Sequence, residues 1–324
     1  MNSPQQDPFG RTIDYLRISI TDRCNEKCLY CMPEGYKGWA SKPDHMTADE
    51  IVRTVEAATH MGFRKFRITG GEPLLRRDVV EICARIGALP GVKSLGVSTN
   101  ATRLAQVAHD LQKAGVRSLN ISLDALDASV YKRITGGELA TALDGIEAAR
   151  SAGFEILKIN CVLLRGLNEQ EYLPLIAFAA ERQMPIRFIE LMPLTRTDVL
   201  DDSNFLSVTE LKTRLGPNLR PLPDYRAGNG PARYFALEPP GTTIGFIGAL
   251  TTSGFCESCN KIRLTADGKL RPCLGRHGEI DLLTSLRTGG DPEVSLRDAI
   301  ANKPEDHEFL EAYQPGRPMT AIGG

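Results

Sequence analysis

Two groups of cysteines carry the first chemical signal in this chain. Cys24, Cys28 and Cys31 lie in "DRCNEKCLYCMPEG", and Cys256, Cys259 and Cys273 lie in "SGFCESCNKIRLTADGKLRPCLG". Each group offers three thiolates, one fewer than a structural zinc site built of cysteines alone. Three thiolates in a short loop can hold three irons of a cubane cluster and leave the fourth iron open to an outside ligand. Zinc with three cysteines and an outside ligand would use the same spacing, so the spacing establishes a metal and not its identity. For the later group, His277, four residues beyond Cys273, is the natural fourth ligand of a zinc knuckle. A second cluster would instead leave an iron open to bind substrate. Cys83 falls in a helical apolar pattern and Cys161 in the strand-like "KINCVLL", so both read as core.

Charge gathers near the same places. Lys261 and Arg263 sit between the later cysteines, and Arg17, Lys65, Arg67 and Lys158 lie in or near strand-like segments. Singly, such residues are commonly surface groups. Arg17 and Arg67, however, alternate with apolar neighbours in strands that helices should cover, so one side of each strand faces an interior. Several convergent cations suit a polyphosphate, because arginine forks and lysine point charges offset multiple anionic oxygens. In "TGGEP", Gly70 and Gly71 form either an ordinary βα turn or a backbone cradle beside a ligand, and Glu72 reads as a cap. Ser122 in "NISLD" reads as a helix cap and Met192 in "ELMP" as core or as a ligand contact.

The elements that must position these residues alternate regularly. "YLRISI", "FRKFRIT", "VKSLGVST", "VRSLNISL", "EILKINCVLL" and "IRFIELM" are rich in β-branched and aromatic residues and predict strands. Between them, "TADEIVRTVEAATH", "RRDVVEICARIGAL", "ATRLAQVAHDLQKAG", "GELATALDGIEAARSAG" and "QEYLPLIAFAAER" predict helices, with Thr47 and Glu50 as a capping box and Gly115 and Gly153 as stops. The pattern is α/β, with right-handed crossovers over a parallel sheet. Polar residues just after several strands favour an open barrel, and the missing Rossmann fingerprint weakens a doubly wound sheet. After Pro193 the chain turns proline- and glycine-rich, which divides it into residues 1–193 and a smaller segment, 194–324. "SLRDAIANK" predicts a late helix before the tail "GRPMTAIGG".

Bulk properties narrow the class. The 324 residues are 42% hydrophobic with a net charge of −1 and no long charged block, which gives no electrostatic footprint for nucleic acid. No leader or membrane-length apolar run is evident, so the expected location is the cytoplasm. Eight cysteines are too sparse for a disulfide scaffold.

CxxxCxxC with Tyr30 before the last cysteine resembles the signature of the radical S-adenosylmethionine superfamily, whose fold is a partial (β/α)6 barrel. That resemblance implies a [4Fe-4S] cluster on Cys24, Cys28 and Cys31, with its open iron chelated by S-adenosylmethionine. It also implies that electron transfer cleaves the sulfonium to a 5'-deoxyadenosyl radical. The cofactor contacts it implies are Tyr30, Gly71, Ser122 and Met192. The longer segments "DYLRISITDRCNEKCLYCMPEG", "FRITGGEPLLRRD", "LNISLDALD", "LKINCVLLRGLN", "IRFIELMP" and "GFCESCNKIRLTADGKLRPCLG", with the terminal Gly323 and Gly324, resemble the GTP 3',8-cyclase family of molybdenum cofactor biosynthesis. This implies a second [4Fe-4S] cluster on Cys256, Cys259 and Cys273 that anchors guanine.

The same family resemblance assigns GTP to Arg17, Arg67, Ser98 or Thr99, Lys158, Lys261, Ile262 and Arg263. Arg17 and Arg263 are also placed at the reduction or protonation step, and the glycine tail enters the active-site region. Implied partners are an electron donor protein and, downstream, cyclic pyranopterin monophosphate synthase; a homodimer is compatible. Lys261 stands where the family commonly has arginine, so the charge is kept without the fork. "STNA" replaces a more usual "TTNG" and leaves Ser98 and Thr99 as alternatives. Two rival readings are a two-cluster radical enzyme that modifies a peptide and a zinc-bearing structural or interaction protein.

Overall fold

The computed structural model describes residues 5–32, 44–194, 199–311, 313–314 and 316–323. A short antiparallel hairpin, β1 (Gln5–Gln6) and β2 (Thr12–Ile13), leads into β3 (Tyr15–Ser19). Alternating helices and strands follow: α1 (Ala48–His60), β4 (Lys65–Thr69), α2 (Val79–Gly87), β5 (Ser94–Thr99), α3 (Leu104–Lys113) and β6 (Ser118–Ser122). Then come α4 (Ala128–Thr135), α5 (Leu139–Ala152), β7 (Ile156–Val162), α6 (Tyr172–Glu181) and β8 (Ile186–Ile189). All six expected strands are present.

Local chemistry sets the helix ends. Thr47 Oγ1 accepts the Glu50 amide at 3.2 Å while the Glu50 carboxylate accepts the Thr47 amide at 2.8 Å, which closes the capping box of α1. Gly153 ends α5 in the left-handed region, at φ 76°. One expectation is corrected here. A single helix was expected between β6 and β7, yet two form, because Asp127 caps α4 by accepting the Ser129 and Val130 amides and left-handed Gly136 stops it.

Strands β3 to β8 are parallel and lie side by side in chain order. A doubly wound sheet reverses its strand order at a switch point, and this run has none. Its two faces differ sharply in chemistry. Leu16, Ile18, Phe66, Ile68, Leu95, Val97, Leu119, Ile121, Ile159, Cys161, Ile186 and Phe188 are each at most 1% exposed and belong to one large apolar core. The alternate positions carry Arg17, Arg67, Ser98, Asn120, Lys158, Asn160 and Arg187, which line a cavity on the other side. Cys83 is fully buried in the same core, as its pattern predicted.

The rest of the chain extends this sheet at both ends. It contributes α7 (Val208–Leu215), β9 (Leu219–Pro221), β10 (Arg233–Leu237), β11 (Thr242–Ile247), β12 (Lys261–Leu264), β13 (Lys269–Arg271), β14 (Ile280–Asp281), α8 (Leu282–Arg287), α9 (Pro292–Ala301) and α10 (Met319–Ile322). β11 joins β8 in parallel and carries β10 and β9 outward, while β12 joins β3 in parallel and carries β13 and β14. Residues 194 onward therefore flank the six strands on both sides. No helix among the described residues is long and apolar enough to cross a membrane.

The two-faced sheet makes a stability prediction. Leu119→Ala, on the helix-covered face, is expected to lower unfolding free energy by about 2–5 kcal/mol in a denaturant titration, whereas Ser98→Ala on the cavity face changes it by less than about 0.5 kcal/mol.

Candidate functional site

The cavity has a volume of about 370 Å³, within the range of small-molecule sites. Strands β3 to β8 and β12 contribute lining residues, and so do all six clustered cysteines and Met319 and Thr320 of α10. Both cysteine groups thus open onto one space. The predicted residues Arg17, Tyr30, Arg67, Gly71, Ser98, Thr99, Ser122, Lys158, Met192, Lys261 and Arg263 line it as well.

One part of the wall is acidic. The glycine turn is tied to the first cysteine loop, since Gly71 donates to Thr21 O at 2.9 Å and Glu72 donates to Arg23 O at 2.7 Å. A side chain at Gly71 would run into the Asp22 and Arg23 backbone, so glycine is required for that approach. Glu72 is 1% exposed rather than a solvent-facing cap, and its carboxylate accepts from Leu74 N, Thr99 Oγ1 and Asn100 N at 2.7–3.0 Å. Tyr30 donates to Asp124 Oδ2 at 2.6 Å, and Tyr131 donates to Glu26 Oε1 at 2.7 Å. Burial raises Glu26 and Glu72 to about 7 and Asp124 to about 6. Three desolvated carboxyls in one wall favour a cationic ligand, whose charge would restore their ionised forms.

Another part is cationic. β-Sheet register places Arg263 beside Arg17 and Arg17 beside Arg67, and in the next row Ser98, Asn120 and Lys158 are neighbours. Arg67 donates to Tyr15 Oη at 2.8 Å, Val97 O at 2.9 Å and Ser118 Oγ at 3.0 Å. Arg187 donates to Asn160 Oδ1 at 2.8 Å. Lys158 is different: it is 1% exposed, and its ammonium has no hydrogen-bond partner. Burial, then the Arg187 and Arg67 guanidiniums, lower it to about 6. Asn120 Oδ1 beside it is likewise unpartnered. Gly228, at φ 108°, brings its backbone over Lys158, where a Cβ would stand 3.0 Å from Nζ. Burial raises the Tyr15 phenol, but Arg67, Arg17 and Lys261 around it prevail and bring it to about 8.

The cysteines are half-buried and form no disulfide. Burial raises Cys24 and Cys31 to about 12 and Cys256 to about 11. Cys259 is lowered instead, because Lys303 and Lys261 outweigh its burial. Among the described residues, no three His, Cys, Asp or Glu side chains sit in the tight arrangement that ligates a single metal ion. His277 does not line the cavity; it stacks on Tyr313 at 5.0 Å between ring centroids. The chemistry of each triad, three soft thiols mutually close enough to repel on ionisation, fits a multi-iron cluster.

Two expectations need adjustment. The Ile262 side chain is fully buried in the apolar core and the residue pairs with Leu16, so it points away from the cavity and is not among the lining residues. Lys65 pairs with Asp14 at 2.7 Å and lies outside the cavity lining. Gly323 accepts from Arg263 through its carbonyl at 2.6 Å, which brings the tail to the cavity wall; Gly324 lies outside the described residues. Arg187, Tyr15, Glu26, Asp124 and Lys303 were missed. Arg187 could have been found, because "IRFIE" alternates as the Arg17 and Arg67 strands do.

Comparison with known proteins agrees with this construction. The Radical SAM superfamily model matches residues 18–179, and the Molybdenum Cofactor Synthesis C model matches residues 184–309. A GTP 3',8-cyclase of Pelotomaculum thermopropionicum is 42% identical, covering 98% of this chain and 100% of that protein. One of Paracoccus denitrificans is 42% identical over 100% of this chain and 96% of its own. Among solved structures, Streptococcus suis SuiB bound to S-adenosylmethionine has a TM-score of 0.58 at 16% identity, covering 88% of this chain and 68% of SuiB. Native anSMEcpe with bound AdoMet has a TM-score of 0.59 at 14% identity, covering 95% and 87%. At those identities the likeness is one of fold. The chain belongs to the radical SAM superfamily and, within it, to the GTP 3',8-cyclase family.

Proposed function

We propose that this chain is a GTP 3',8-cyclase, a lyase that converts GTP to 3',8-cyclo-7,8-dihydro-GTP in molybdenum cofactor biosynthesis. The observation that carries the reading is the polarised cavity: two cysteine triads open onto a space with an acidic wall and a buried cationic wall. S-Adenosylmethionine brings an ammonium and a sulfonium, and GTP brings a polyphosphate. Neither rival accounts for both walls. A peptide substrate gives no reason to bury Lys158 unpartnered, and a structural zinc protein needs no such cavity.

The finer architecture follows the same division. The parallel strands β3 to β8 curl as a partial (β/α)6 barrel, a reading supported by their shared cavity lining. Residues 1–193 carry the first [4Fe-4S] cluster on Cys24, Cys28 and Cys31. Residues 194–324 carry the second on Cys256, Cys259 and Cys273. When bound, the first cluster and S-adenosylmethionine supply a carbon-centred radical able to remove the C3' hydrogen of GTP, chemistry that side chains do not provide.

The protein's own groups bind, orient and exclude water. Glu72, Asp124 and Glu26 face the cationic cofactor, with Tyr30, Gly71, Ser122 and Met192 shaping its seat. Lys158, Arg67, Arg187 and Arg17 take the phosphates, and Ser98, rather than the Glu72-bound Thr99, points its hydroxyl into the site from β5. Lys261 and Arg263 hold the nucleotide near the second triad, where Arg263 also grips the tail. Fixing the C3' and C8 ends of one nucleotide in a desolvated space is what makes ring closure intramolecular and selective. An electron donor protein would supply the reducing equivalents, and cyclic pyranopterin monophosphate synthase would consume the product.

The direct test is anaerobic reconstitution followed by iron and sulfide quantification and product analysis with GTP and S-adenosylmethionine. Replacing Cys256, Cys259 or Cys273 by alanine is expected to abolish cyclisation while S-adenosylmethionine cleavage survives; full cyclisation in a variant lacking the second cluster would refute the site. Phosphate binding raises the Lys158 ammonium from about 6, so GTP uptake consumes a proton and affinity falls as pH rises above that value. Calorimetry in buffers of different ionisation enthalpy should show this uptake in the parent and not in Lys158→Met, with roughly 10- to 100-fold weaker GTP binding. Deleting Gly323 and Gly324 should leave thermal stability unchanged and reduce cyclisation, as read by product formation.

A further inference from the structure

Lys303 follows the C-cap of α9, is 3% exposed and lines the cavity beside the second triad. Its ammonium donates to Lys261 O at 2.9 Å and to Pro272 O at 2.7 Å. Its positive charge also acts on Cys259. The two carbonyls take two of the three donors of an ammonium. Among the described residues no carboxylate forms an ion pair with it. A buried ammonium without an anion carries a desolvation penalty of several kcal/mol, so the fold supplies its counter-charge from elsewhere.

The partners indicate where that charge comes from. Lys261 O lies two residues beyond Cys259, and Pro272 O immediately precedes Cys273, so one ammonium spans both cysteine-bearing segments. The segment after Lys303 is held in turn by Arg11, which donates to the Pro304 and Glu305 carbonyls and, at 3.2 Å, to Cys256 O. All three cysteines of the triad are thus reached through one N-terminal arginine and one lysine.

We propose that Lys303 is the positioning residue of the second iron–sulfur cluster: its ammonium fixes the Cys259 and Cys273 ligands and donates to a cluster sulfur ligand. In doing so it offsets the negative charge of the thiolate-ligated cluster and raises its reduction potential. Reduction adds one electron and hence one more negative charge, which a fixed cation at hydrogen-bond range stabilises preferentially. The inference rests on the reading that Cys256, Cys259 and Cys273 hold such a cluster.

The test uses the full chain with Cys24, Cys28 and Cys31 replaced by alanine, so that only the second cluster loads. Lys303→Gln and Lys303→Arg are compared with this parent by iron and sulfide content, far-UV circular dichroism and an EPR-monitored dithionite titration. Lys303→Gln is expected to load iron and titrate at a more negative midpoint, with Lys303→Arg close to the parent. Loss of iron in Lys303→Gln alone, with parent-like circular dichroism and recovery in Lys303→Arg, supports the same role. An unchanged midpoint in loaded Lys303→Gln overturns the proposal, as does equal failure of both variants. A parent with no iron–sulfur absorption would sink the two-cluster reading itself, and with it the partner assigned to Lys303.

Discussion

Everything in this molecule depends on burying cations in the interior of a parallel β-sheet. Most sheets of this kind are apolar on both faces, but here only the helix-covered face is. The other face presents arginines and lysines from adjacent strands, and Lys158 meets no protein hydrogen-bond partner. The apolar face is packed into one large core, and the polar face lines a cavity. Groups that the fold has already oriented and stripped of water meet an opposite charge without having to reorganise.

The two walls of the cavity apply one physical rule with opposite sign. Burial raises the Glu72 carboxyl to about 7 and lowers the Lys158 ammonium to about 6, so each is only partly ionised in the empty cavity, and a ligand of opposite charge would restore it. Both cysteine triads open onto the cavity, and the backbone ties from Thr21 and Arg23 to the glycine turn fix the loop of the first.

Much of the architecture was legible because alternation and capping are local signals. The six strands, the Thr47 cap and the core placement of Cys83 and Cys161 all followed from neighbours within a few residues. What escaped was long-range. That β11 and β12 would add to opposite ends of the sheet depends on pairings between distant segments, which no window of sequence contains. The site divides in the same way. Arg17, Arg67 and Lys158 were visible from their strands, whereas Lys303 closes the helix-like "SLRDAIANK" just past the C-cap of α9 and acquires meaning only through the Lys261 and Pro272 carbonyls. Ile262 shows the converse: the family resemblance put it in the site, but strand pleating turns its side chain into the core.

The pairing of β12 with β3 also bears on how the chain comes into being. A ribosome delivers the six parallel strands long before the segment that covers their ends. Until then, the nascent sheet carries two open edges, and its interior charges have neither ligand nor lid. Open edges and exposed polar cavities invite pairing with other chains, so biosynthesis passes through an interval of vulnerability that ends only when the last third of the polypeptide docks on both sides.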